Sequence, residues 1–94
     1  MDEPYQVRRT KAFKKDLRRI IRQGKDLSEM ENVVDDIAAG KVLDAKYQDH
    51  ALTGNWNGFR DCHIAPDWML IYKLEKQVLT LTLTRTGSHA ELEL

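Results

Sequence analysis

Between residues 78 and 85 leucine and threonine alternate: Leu79, Leu81 and Leu83 against Thr80, Thr82 and Thr84. Side chains along a strand point to opposite faces with a period of two, so this stretch reads as a strand with one face on a core and the other wet. A strand of this kind belongs in an antiparallel sheet. The chain supplies neighbours just before it, at residues 59–64 and 68–74, and the Ala65-Pro66-Asp67 and Glu75-Lys76-Gln77 connections suit hairpins. The second half is therefore a strand meander whose apolar face needs a cover from elsewhere in the chain.

The first half provides that cover. Phe13, Leu17, Ile20 and Ile21 repeat at helical spacing on one stripe, while Lys14, Arg18 and Arg22 repeat every fourth residue on another. Thr10 is placed to cap this helix, which spans residues 11–23, and Gly24 to end it. Ser28 with Glu31 forms a capping-box pattern for a second helix through residue 39, closed by Gly40, with Met30, Val33, Val34 and Ile37 as its core stripe. Residues 4–9 read as an opening strand, and residues 41–57 as a long loop around Gly54-Asn55. With 94 residues and 41% hydrophobic content there is room for one core, so residues 1–94 are read as a single α+β domain. Its expected order is strand, helix, helix, meander, with the sheet covered on one side only.

The formal net charge of zero conceals a polarity. Residues 1–25 carry nine Lys or Arg against three acids, and the remainder six against twelve. Such a run is either a solvated helix face or a basic surface for polyanions, and charge alone leaves both open. The longest apolar run, residues 68–72, is far short of a membrane span, residues 1–10 hold no signal-peptide core, and a cytoplasmic protein without membrane contact is expected. The lone Cys62 has no disulfide partner and reads as a small strand residue. His50, His63 and His89 fit no metal motif, so no metal or cofactor is expected. Phe59, Asp61 and His63 share one side of a strand by the two-residue period. Trp56, Phe59 and Tyr72 read as core or loop anchors rather than an RNA-stacking set.

Four segments together form a specific pattern: YQDHALTGNW at 47–56, FRDCHIAPDW at 59–68, LIY at 70–72 and RTGSHA at 85–90. The pattern resembles the YafQ-like toxins of the RelE/ParE superfamily. Strong over residues 47–90, the resemblance extends weakly through the basic first helix and the second. It implies a RelE-like fold: an N-terminal strand and two antiparallel helices packed on one face of a twisted antiparallel four-stranded sheet. It also implies a ribosome-dependent endoribonuclease, an mRNA interferase, paired with a neutralising antitoxin and reaching operator DNA only through it. The family's functional residues then fall on His50, His63, Asp67 and His89, with Asp61 and Trp68 in support. The family aromatic four residues after the last histidine is replaced here by Glu93, which cannot stack on a base.

RNA carries its own nucleophile, the 2′-OH, so a metal-free enzyme needs a base, an acid and cations for the developing phosphorane charge. Histidine, with an ordinary pKa of about 6.5, suits both proton transfers. The expected roles are His50 as base, His89 as acid, His63 at the phosphate, Asp67 orienting a histidine, and Arg60 and Arg85 as phosphate ligands or partners of acids. Lys14, Lys15, Arg18, Arg19 and Arg22 are expected to dock ribosomal RNA, with antitoxin binding as their competing use. Two other readings stay open on the same fold: a non-enzymatic ParE-like gyrase inhibitor, and an inactive homologue acting only in an antitoxin-bound repressor complex.

Overall fold

The computed structural model describes residues 4–94; the single-domain reading of residues 1–94 thus includes residues 1–3, which lie outside the described residues. Strand β1 (Gln6–Arg9) leads into helix α1 (Lys11–Arg22), helix α2 (Ser28–Ala38), strands β2 (His50–Ala51), β3 (Arg60–Ala65), β4 (Trp68–Glu75) and β5 (Thr80–Gly87), and a final helix α3 (His89–Leu92). The sheet order is β1-β5-β4-β3-β2. β1 runs parallel to β5 and every other pairing is antiparallel. The α+β class stands, but among the described residues the sheet is five-stranded and mixed rather than four-stranded and antiparallel, and there are three helices rather than two.

Thr10 caps α1 as its position implies, its hydroxyl accepting from the Phe13 N–H at 2.9 Å. Gly24, at φ 78°, then takes the left-handed conformation that ends the helix. Ser28 does not cap α2; Asp26 Oδ1 instead accepts from the Ser28 N–H and hydroxyl at 2.9 and 2.7 Å. Of the apolar stripes, Phe13, Ile20, Met30, Val33 and Ile37 are buried, Leu17 and Val34 are half-buried and Ile21 is 54% exposed, while Asp16 goes inside.

Phe13 and Ile20 of α1 and Met30, Val33 and Ile37 of α2 close over Cys62, Ile64, Trp68, Leu70, Tyr72, Leu81 and Leu83 on one face of the sheet. Burial pushes the Cys62 thiol up to about 12, which leaves it an inert core group. The opposite face is not simply wet. Met69 and Ile71 are fully buried there under Leu92 of α3, with Leu52, Trp56 and Phe59 packed alongside. Covering on one side only is thus corrected, because α3 and the connection from β2 to β3 fold over the second face.

Leu79 drops out of the leucine row. Residues Lys76–Val78 form a 3-10 turn and Leu79 follows in the left-handed region at φ 46°, 38% exposed, so the strand starts at Thr80. Ile71 pairs with Arg85 but Tyr72 pairs with Leu83, so Thr84 is an extra residue in β5. This bulge reverses the parity of the residues beyond it. Thr86 consequently turns to the helix side, where its hydroxyl accepts from Trp68 Nε1 at 2.9 Å and donates to the Met69 carbonyl at 2.8 Å.

The parallel β1 covers β5 only from Thr80 to Leu83. Beyond Leu83, side chains of α1 and its N-cap satisfy the bare backbone edge: Thr10 Oγ1 donates to the Thr84 carbonyl (2.7 Å), Asp16 Oδ2 accepts from the Thr86 N–H (3.1 Å), and Arg19 Nη2 donates to the Thr86 carbonyl (3.0 Å). The helix thus completes the missing length of an edge strand.

Candidate functional site

β2 holds only two residues, too few for periodicity to show within the segment read as loop, yet it brings His50 into register opposite Asp61 of β3. His63 lies two residues further along β3, on the same face. The Pro66-Asp67 turn between β3 and β4 carries Asp67 to the start of α3, where His89 is the first helical residue. Three elements distant in sequence therefore bring His50, His63, His89, Asp61 and Asp67 to the face opposite α1 and α2.

Asp61 sits at the centre, only 3% exposed. Its Oδ2 lies 3.9 Å from His50 Nε2 and 3.8 Å from His63 Nε2, close enough for charge attraction and too far for direct hydrogen bonds. The other oxygen, Oδ1, has no hydrogen-bond partner among the described residues. Burial raises its pKa, against the opposing influence of His63, His50 and His89. The rings of His63 and His89 stand edge to face, 5.7 Å between centroids.

His50 Nδ1 is 2.7 Å from the Gln48 carbonyl. A carbonyl only accepts, so Nδ1 carries the proton and Nε2 of the neutral ring keeps its lone pair. Asp67 Oδ1 accepts twice from His89, from the backbone N–H at 3.0 Å and from Nδ1 at 2.7 Å. First the backbone N–H and then the ring hold the Asp67 carboxyl below the usual carboxylate range. The proton that His89 can exchange with a substrate is the one on Nε2. The His50 and His89 side chains are about half exposed, at 52% and 50%, on an open surface.

The other expected residues lie elsewhere. Trp68 is buried on the helix side, across the sheet from the histidines. The Arg60 guanidinium is held by Asp49, Nη2 to Oδ2 at 3.1 Å, and the Tyr72 hydroxyl donates to the same carboxylate at 2.6 Å. Asp49, inside the motif but given no role there, ties β2 to β3 and β4 directly beside His50. Arg85 is on the open face but binds Asp16, Nε to Oδ2 at 2.6 Å and Nη2 to Oδ1 at 3.2 Å. Arg19 also binds Asp16, at 2.8 Å. Burial would raise the pKa of Asp16, yet Arg85, the Thr86 N–H and Arg19 together bring it below the usual carboxylate value. Lys14, Lys15, Arg18 and Arg22 are exposed along α1.

Among the described residues no three His, Cys, Asp or Glu side chains are arranged to share a metal ion, and no helix is long and apolar enough to cross a membrane. A hollow lined by Leu43, Asp49, Phe59, Arg60 and Tyr72 adjoins the site through Asp49, and none of the histidines lines it.

Residues 5–94 match the YafQ family, described as the bacterial toxin of type II toxin-antitoxin systems. The mRNA interferase toxin YafQ of Escherichia coli K12 is 38% identical over 81 residues, which cover 85% of this chain and 86% of that protein. The metal-bound toxin from Helicobacter pylori has a TM-score of 0.88 at 42% identity, with 94% of this chain and 98% of that chain covered. A chain of the Escherichia coli DinJ-YafQ toxin-antitoxin complex has a TM-score of 0.87 at 34% identity, with 96% and 98% covered.

Proposed function

The chain belongs to the YafQ family of bacterial toxins of type II toxin-antitoxin systems, and from that premise we propose that it is an endoribonuclease that cuts messenger RNA on the ribosome. The observation that carries this reading is the gathering of His50, His63 and His89 around the buried Asp61, with Asp67 holding His89 from behind. The Escherichia coli relative is named an mRNA interferase, and a relative is solved in complex with the antitoxin DinJ. A cognate antitoxin is accordingly the partner that neutralises this chain and carries it to operator DNA.

His50 Nε2, with its lone pair free, takes the proton of the 2′-OH. The 2′ oxygen then bonds to phosphorus, the bond from phosphorus to the 5′ oxygen breaks, and His89 Nε2 gives its proton to that leaving oxygen. The products are a 2′,3′-cyclic phosphate and a 5′-OH. His63, between the two, meets the charge on the phosphorane oxygens. Asp61 balances the positive charge that passes through this cluster, while Asp67 fixes the His89 tautomer as a carboxylate does in other acid-base dyads.

Primer extension on a translated message, with and without the protein, tests the proposal. Cuts inside codons that require ribosomes are expected, and His89→Ala should lower the single-turnover rate by about 10² to 10⁴. A chelator selective for transition metals, which leaves magnesium to the ribosome, should not alter the rate. Equal cleavage by the parent and His89→Ala would refute the acid assignment, and no cleavage by the parent would leave an inactive homologue.

A further inference from the structure

Helix α3 contains four residues, too few to offset the cost of nucleating a helix by its own hydrogen bonds. Something outside it must hold it, and its first residue is His89. Part of the hold is local: the Ser88 hydroxyl accepts from the Glu91 N–H at 3.1 Å while Glu91 Oε1 accepts from the Ser88 N–H at 2.9 Å. Leu92 anchors the far end against Met69 and Ile71.

The remaining hold comes from α1. Arg19 Nε lies 3.0 Å from Glu91 Oε2, an ion-pair distance without hydrogen-bond alignment, and Nη2 reaches Oε1 at 3.4 Å. The same guanidinium binds Asp16 and the Thr86 carbonyl, so it is fixed to the edge of β5 on one side and to the cap of α3 on the other. Gly87 lies between. A Cβ there would fall 2.7 Å from Arg19 Nη2 and 2.9 Å from Glu91 Oε1, so the two side chains meet in space that any larger residue would occupy.

We propose that Arg19 is a positioning residue for His89: acting through Glu91 it fixes the entry of α3, and hence the place of the His89 imidazole relative to Asp67 and the substrate. This deepens the reading of His89 as the general acid and rests on it. It also separates Arg19 from its neighbours on α1. Lys14, Lys15, Arg18 and Arg22 are exposed, whereas Arg19 is engaged with two acids and a carbonyl.

The test is a double-mutant cycle in the full chain with Arg19→Met, which keeps the packing of the stem, and Glu91→Gln, which keeps the cap hydrogen bond and removes the charge. Single-turnover cleavage at saturating ribosomes should fall about tenfold in each variant and no further in the double, with ribosome affinity unchanged. Amide exchange should quicken at residues 88–92 and stay as in the parent across the sheet and α2. Gly87→Ala should reproduce both effects. Additive losses, a loss confined to ribosome affinity, an unchanged rate, or faster exchange spread over the whole chain would each overturn the proposal. If the parent itself cuts no message, that failure belongs to the nuclease reading, and the exchange pattern alone decides whether Arg19 holds His89.

Discussion

A carboxylate such as Asp61, nearly inaccessible, with one oxygen lacking a partner among the described residues and its two histidine neighbours 3.8 and 3.9 Å away, is held at some expense to the fold. Its pKa is raised, so the native state is penalised relative to the unfolded chain once the group must ionise: the penalty is absent below the unfolded value near 4, grows as pH climbs through the folded value, and is complete above it. Asp61→Asn should therefore raise the thermal midpoint at pH 7, the gain disappearing below about pH 4, while cleavage falls. Scanning calorimetry over that pH range together with cleavage assays reads both; a lower midpoint at pH 7 would show that the carboxylate stabilises the fold. Glu93 is a different departure from apolar logic. It takes the left-handed C-cap position of α3 at φ 58° and lines a hollow with Asn55, Trp56 and Arg85, so the aromatic at this rim is Trp56, from the β2–β3 connection.

Among the elements, the junction of α1 with β5 holds most of the unexpected chemistry. Asp16 accepts from Arg85, Arg19 and the Thr86 N–H where β1 has ended, so it is both an ion-pair centre and a stand-in for a strand. Asp16→Asn leaves Arg85 without its carboxylate partner and Arg19 with Glu91 alone, and should cost roughly 3 kcal/mol, a fall in thermal midpoint of at least about 12 °C for a domain of this size. The folded pKa of Asp16 is depressed, so its contribution is whole above the unfolded value near 4 and is lost as pH drops through the folded one. The gap between parent and variant should thus be full at pH 7 and shrink below pH 4; denaturant titrations at both pH values measure it, and a gap independent of pH would mean that the carboxylate charge is not what matters. The helix caps at this scale were legible in kind but not all in place. The Ser-x-x-Glu pattern is idle at Ser28 and forms at Ser88, where the same signal was present in the sequence.

Across the whole molecule, the histidine site and the exposed cations of α1 belong to opposite sides of one sheet. Four of the five cations expected to meet ribosomal RNA remain exposed, and the fifth, Arg19, is committed to Asp16 and Glu91. Reversing Lys14, Arg18 and Arg22 to Glu should weaken ribosome association steeply, with a smaller salt dependence than the parent's, while moving the thermal midpoint little. Sedimentation with ribosomes at two salt concentrations checks this. Association unchanged by the triple reversal would assign the basic face to the antitoxin or to solvent alone.

The sequence by itself determined the α+β class, the positions of α1, α2 and the meander, the Thr10 cap and Gly24 stop, the core leucines at 81 and 83, and the grouping of Asp61 with His63. Each of these is a local signal: a period, a cap or a turn that acts within a few residues. Resemblance, rather than periodicity, brought His50, Asp67 and His89 into the same account. Only the tertiary structure decided that β1 runs parallel beside β5, that a two-residue strand sets His50 against Asp61, that a bulge at Thr84 turns Thr86 inward, and that Asp16, Arg85, Arg19 and Glu91 lock α1 to the turn bearing His89. Asp16 and Arg85 are 69 residues apart. An ion pair over that separation imposes no pattern on the residues around either partner, and its existence depends on the packing of the whole chain.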